Sequence, residues 1–135
     1  MKIEAPISVG ELFDKISVLD IKIDKFSHQL DIKIGKNPYK DAIANVQNER
    51  TELLELAEGL WSDQADVFYL ALKDANKQIW DDVDEMHRLE TTPWRVFKLA
   101  KIGRRIAKVN DERAAIKRKL NNLFKSEIVE EKLYQ

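Results

Sequence analysis

The sequence contains no cysteine, and only four glycines, three prolines and two histidines in 135 residues. Without cysteine there is no disulfide framework, no thiolate metal site and no thiol nucleophile, a composition suited to a reducing compartment. His28 and His87 are too few to group a nucleophile, a base and an orienting acid. Asp84-x-x-His87 is likewise one half of what a di-iron bundle requires. No Gly-rich phosphate loop is present. Hydrophobic runs are short: the longest, Val67 to Leu72, is six residues and cannot cross a bilayer, and Met1 to Pro6 has no signal-peptide character. The expectation is a cytoplasmic protein with no membrane partner. Net charge is nearly absent too, since 23 Lys and Arg against 24 Asp and Glu leave −1. Any affinity for nucleic acid must therefore come from local clustering.

What remains is a helix-forming composition, 44% hydrophobic and 35% charged, enough for one core and one domain over residues 1–135. Ser8 followed by Glu11 reads as a capping box, so a first helix is expected over about 8 to 31. Its stripe is Leu12, Ile16, Leu19, Ile23, Phe26 and Leu30, in steps of 4 and 3. Gly35-Lys36-Asn37-Pro38 is a turn, with Asn37 a candidate cap for a second helix over 38 to 58. Gly59 offers a left-handed stop, and Ser62 with Asp63 and Asp66 starts a third helix running to 90. Thr91-Thr92-Pro93 stops that helix and starts a fourth, over 93 to 125. Short connections between four such helices predict an all-α, up-and-down antiparallel bundle with a long C-terminal helix.

Charge is distributed unevenly along this pattern. Residues 41 to 90 hold 13 acids and 4 bases, whereas 93 to 125 hold 11 bases and 2 acids. Lys101, Arg104, Arg105 and Lys108 share one face of the last helix. They either meet an anionic partner or cancel the acids of a neighbouring helix. Nucleic acid is disfavoured, because aromatic residues are not interleaved with the bases. The seam of that helix is Leu99, Ile102, Ile106, Val109, Arg113, Ile116, Leu120 and Leu123, which places an arginine where leucine is expected. A guanidinium facing the core needs carboxylates, and Asp84, Glu85, Asp20 and Glu131 are the candidates. Two readings follow: an ion pair that fixes helix register, or a polar pocket in which Arg113, Lys15, Asn110 and Lys117 grip an anionic small molecule. Trp61, Trp80 and Trp94 lie near helix ends or beside charges, where they close a bundle end, an oligomer contact or a pocket mouth.

Several strings are shared across most of the chain with a known group. They are Ile7-Ser8-Val9-Gly10-Glu11-Leu12 with Asp14-Lys15-Ile16, Trp80 with Asp84-Glu85 and Arg88-x-Glu90, Asn110 to Arg118, and the tail Ser126, Glu130-Glu131-Lys132 and Tyr134. Through them the chain resembles a family of small bacterial and phage proteins catalogued as a domain of unknown function. It departs from the family pattern at Met86-His87 and at Leu133. The resemblance implies a common fold and leaves the chemistry open. Its polar motif residues extend the candidate ligand-binding set to Lys15, Trp80, Asp84, Glu85, Arg88, Asn110, Arg113 and Lys117.

An enzyme reading competes with this. Glu52-x-x-Glu55 and Asp82-x-x-Glu85 resemble the Mg²⁺ site of the all-helical nucleotide pyrophosphohydrolases, whose four carboxylates on two facing helices hold the metal. The second pair has its usual Glu and Asp exchanged. A chorismate mutase reading fails, because Phe13 and Leu30 stand where arginines are needed. The expectation carried forward is a non-enzymatic binding or assembly module with no cofactor, whose partner is a second copy, another protein or an anionic small molecule. The alternative is a Mg²⁺-dependent pyrophosphohydrolase using Glu52, Glu55, Asp82 and Glu85.

Overall fold

The computed structural model describes residues 1–29, 35–89 and 93–133. It is an all-α bundle of four helices: α1 (Val9–Ser27), α2 (Lys40–Ala57), α3 (Asp63–Arg88) and the longest, α4 (Val96–Leu123). Short 3-10 turns at Glu58–Leu60 and Pro93–Arg95 precede α3 and α4. Among the described residues no helix is long and apolar enough to cross a membrane.

Two of the helix starts, those of α1 and α3, follow capping serines. Ser8 is extended and its side chain accepts from Glu11 N at 3.1 Å, fixing the first turn of α1. The expected capping box is only half built, because the Glu11 carboxylate turns away from Ser8 to Lys117 of α4 at 2.7 Å. Ser62 caps α3 in the same way, accepting from Ala65 N at 3.1 Å. Other boundaries differ from expectation for local reasons. Helix α1 ends at Ser27 rather than near 31, because Asn37 Nδ2 reaches back and donates to the Phe26 carbonyl at 2.7 Å. Asn37 is therefore a stop for α1 and not a cap for α2. Its Oδ1 accepts from Tyr39 N at 2.8 Å, and α2 begins only at Lys40. Gly35 takes the left-handed conformation, with φ 63°. Gly59 does not, and the chain leaves α2 through a 3-10 turn instead. Leu30, Asp31, Glu90, Thr91, Thr92 and Tyr134 lie outside the described residues.

Helix α1 is the centre of the bundle, packed against α2, α3 and α4, while α3 also lies along α4. Leu12, Ile16 and Leu19 of the expected stripe are buried, joined by Phe13 and Ile21. The core gathers Leu12, Phe13 and Ile16 with Ala57, Ala65, Tyr69, Leu72 and Leu120. Trp61 closes one end, its ring 5.0 Å from Phe13 and 5.1 Å from Tyr69. Stacking of Phe26 on Tyr39 at 5.1 Å holds the start of α2 against the far end of α1. Asp20 ties α1 to both neighbours at once, accepting from Arg50 of α2 and from the Tyr69 hydroxyl of α3. Ion pairing gives the direction of α4. Glu11 meets Lys117 and Asp14 meets Arg113, so α4 descends as α1 rises.

Candidate functional site

A second face of α1, offset from its apolar stripe, carries Gly10, Asp14, Ser17 and Ile21 in steps of 4, 3 and 4, all of them buried. This face meets α4 and α3. At Gly10 the two helices come so close that a Cβ would lie 2.4 Å from the Lys117 carbonyl oxygen, a contact no side chain tolerates. The Gly10 backbone N–H donates to Asn121 Oδ1 at 2.6 Å and Val9 N to Ser126 Oγ at 3.2 Å, so the amino end of α1 is clasped by the end of α4.

One turn along, the Asp14 side chain is 2% exposed and takes the Arg113 guanidinium fork, Nε on Oδ1 at 2.9 Å and Nη2 on Oδ2. Arg113 thus faces inward as its seam position requires, but its partner is Asp14. None of Asp84, Glu85, Asp20 and Glu131 takes that place. Asn76 of α3 completes the group, its Nδ2 donating to Asp14 Oδ1 at 2.7 Å and to Ser17 Oγ at 2.8 Å. Arg113 Nη1 donates to Asn110 Oδ1 at 3.3 Å. Burial pushes the Asp14 carboxyl upward, yet hydrogen bonds from Arg113 and Asn76 outweigh it and hold the group below the usual carboxylate range. The hydrogen bond it donates to Asp14 holds the Arg113 guanidinium further into its charged form.

Lys117 forms a second node. Its ammonium sits between Glu11 Oε2 at 2.7 Å and Glu130 Oε2 at 2.6 Å, with its side chain 10% exposed. Burial disfavours the charge, but hydrogen bonds to the two glutamates win and raise the lysine above its ordinary value. The hydrogen bond from Lys117 lowers Glu130 in turn. Much of the motif set is therefore drawn together along one seam: Ser8, Gly10, Glu11, Asp14, Asn110, Arg113, Lys117, Ser126 and Glu130.

This arrangement changes the reading of the candidate ligand set. Of the four groups expected to grip an anion, Arg113 is forked onto Asp14, Lys117 is held by two glutamates, Asn110 accepts from Arg113, and Lys15 lies exposed with Glu11 3.9 Å away. Glu85 pairs with Lys98 of α4 at 3.1 Å, and Arg88 is exposed. Trp80 and Asp84 stand elsewhere. With Val18 and Ile21 of α1, Asn76, Ile79, Val83 and His87 of α3, and Arg113, they line a cleft of about 400 Å³.

The metal alternative is not assembled. Asp82 is buried against Arg105, whose Nε lies 3.0 and 2.8 Å from its two oxygens, so the α3 acids Asp82 and Glu85 are both engaged by α4. Glu52 pairs with Lys2 at 2.7 Å, and Glu55 is exposed. Among the described residues no three His, Cys, Asp or Glu side chains are grouped to hold a metal ion. These α3–α4 pairs also account for part of the charge asymmetry, whereas Lys101, Arg104 and Lys108 remain exposed. No family model, curated protein or solved structure matches the chain.

Proposed function

We propose that this chain is a non-enzymatic binding and assembly module, akin to the small bacterial and phage family whose motifs it carries. The charged seam of α1 and α4 is a lock that fixes the relative position of α1, α3 and α4, and the binding surface is the cleft beside it. One observation carries this reading: Asp14, Arg113 and Asn110 satisfy one another and Lys117 is held by Glu11 and Glu130, while the adjoining cleft keeps apolar walls and a carboxylate, Asp84, without an ion-pair partner among the described residues. Rigid helices on either side of a concave, mostly apolar surface with a few polar groups are the usual makings of a ligand site.

Assembly has a separate support. Trp94, Val96 and Phe97 at the start of α4 are 70%, 56% and 83% exposed. Three neighbouring apolar residues uncovered in this way fit a contact between copies of the chain.

Thermal unfolding tests both parts, run at several protein concentrations and with a panel of small organic anions, cations and neutral molecules. A ligand at 100 times its dissociation constant raises the midpoint by several degrees, equivalent to about 2.7 kcal/mol. A self-associating chain unfolds at higher temperature when more concentrated. A midpoint moved by neither ligand nor concentration refutes the reading.

A further inference from the structure

The seam leaves one buried acceptor over. Asn76 is 8% exposed, and its amide orientation is fixed, because Nδ2 must be the atom that meets the ionised Asp14 carboxylate. Its Oδ1 receives no hydrogen bond among the described residues, and a buried acceptor without a donor is destabilising. Asn76 lines the cleft. Asp84, two turns further along α3 and half-buried, lines the same cleft and has no ion pair among the described residues. Trp80 stands between them in sequence, on the turn that separates the two acceptors.

The charge count selects the ligand. Arg113 contributes one positive charge, but Asp14 neutralises it through a two-point hydrogen bond, and Asp84 then leaves the cleft net negative. The remaining lining is the aliphatic Val18, Ile21, Ile79 and Val83 together with His87, which is counted as neutral at pH 7. An anion entering here would meet Asp84 and a guanidinium already committed to Asp14. A cation would meet the Asp84 carboxylate with the Trp80 indole one turn away.

We infer that the cleft formed by Trp80, Asp84 and Asn76 binds an organic cation, a protonated amine or guanidinium carried on a flat or branched apolar body. This rests on the binding-module reading above and names the ligand class of its site. The apolar body fills the aliphatic walls, and the cationic head donates to Asp84 beside the Trp80 ring, two turns of α3 from Asn76.

The test is a nuclear magnetic resonance titration of the whole chain, following the indole N–H of each tryptophan. The probes are 2-phenylethylammonium, 2-phenylethanol and 3-phenylpropanoate. The expected result is saturable displacement of the Trp80 resonance by the ammonium, weaker displacement by the alcohol, and none by the carboxylate. Asp84→Asn should weaken ammonium binding about tenfold or more, the loss of one hydrogen bond to a charged group, and leave the unfolding midpoint unchanged. Unchanged affinity in Asp84→Asn, or no displacement of Trp80 by the ammonium, overturns the inference. Tighter binding of 3-phenylpropanoate overturns it while leaving the binding-module reading intact. That broader reading falls separately, if no panel member and no change of concentration moves the unfolding midpoint.

Discussion

Replacing Arg113 by Met removes the fork from a carboxylate that has almost no access to water. The Asp14 side chain is 2% exposed and keeps only Asn76 as a side-chain donor in the variant. Breaking a buried pair by removing one partner costs roughly 3–5 kcal/mol. Arg113 itself is 30% exposed, so solvent screens part of the interaction and the lower end applies, about 3 kcal/mol. For a domain of this size that corresponds to a fall of about 10 °C in the unfolding midpoint. The pH dependence identifies the cause. In the wild type the folded-state Asp14 carboxyl is lowered, so its contribution is present above about pH 4 and is lost as pH falls through the folded value. In Arg113→Met burial prevails and the carboxyl rises, so the destabilising charge is relieved on acidification. The gap between variant and wild type should therefore narrow from neutral pH toward about pH 4. Urea unfolding at a series of pH values measures this, with the double variant Asp14→Asn/Arg113→Met expected to recover about 2 kcal/mol. A cost under about 1 kcal/mol at pH 7, or a gap independent of pH, refutes the assignment of Arg113 and Asp14 as a buried lock.

Three further outcomes are expected. Gly10→Ala should destabilise by about 3 kcal/mol or abolish folding despite alanine's better helix propensity, because its Cβ meets a backbone carbonyl; calorimetry showing a neutral or stabilising change would contradict the close crossing. The raised Lys117 contributes stability that is present below about pH 10 and lost as pH rises through its folded value, so Lys117→Met, costing about 1–2 kcal/mol at pH 7, should flatten the alkaline limb of the stability curve. Phe97→Glu should lower self-association in sedimentation equilibrium and leave the monomer's circular dichroism unchanged, since Phe97 is 83% exposed; unaltered association would move the contact elsewhere.

How much of this was legible in the sequence depends on which face of α1 is considered. The apolar stripe from Leu12 to Phe26, the serine caps and the seam of α4 are periodic signals, and they recover the four helices and the inward position of Arg113. Its partner Asp14 lies outside that stripe, because one stripe describes a helix with one buried face, whereas α1 packs against three helices. The step from Gly10 to Asp14 to Ser17 to Ile21 was present as a second heptad-like face, small and polar where two backbones approach. Side-chain choice at the turns is harder to read. Asn37 has the composition of a helix start but reaches backward to Phe26, since either backbone group satisfies an asparagine. Spacing alone groups the α3 acids, and spacing does not say that Asp82 and Glu85 meet α4. The Trp80 cleft has no periodic signature, because its lining is drawn from three different helices.

The clasp between the two ends of the fold also sets the order in which the fold can form. Helix α2 reaches α1 through a short connection, but the bonds from Asp14 to Arg113, Gly10 to Asn121 and Val9 to Ser126 span 99, 111 and 117 residues of chain. On a ribosome, α1 emerges before α4 and waits, with Asp14 uncompensated, until Arg113 about a hundred residues later has followed. Closing so long a loop is entropically slow, and helix α4 must arrive already in register to place Arg113 and Lys117 opposite their acids. Of these four helices, α1 is thus the one that waits longest for its partner α4.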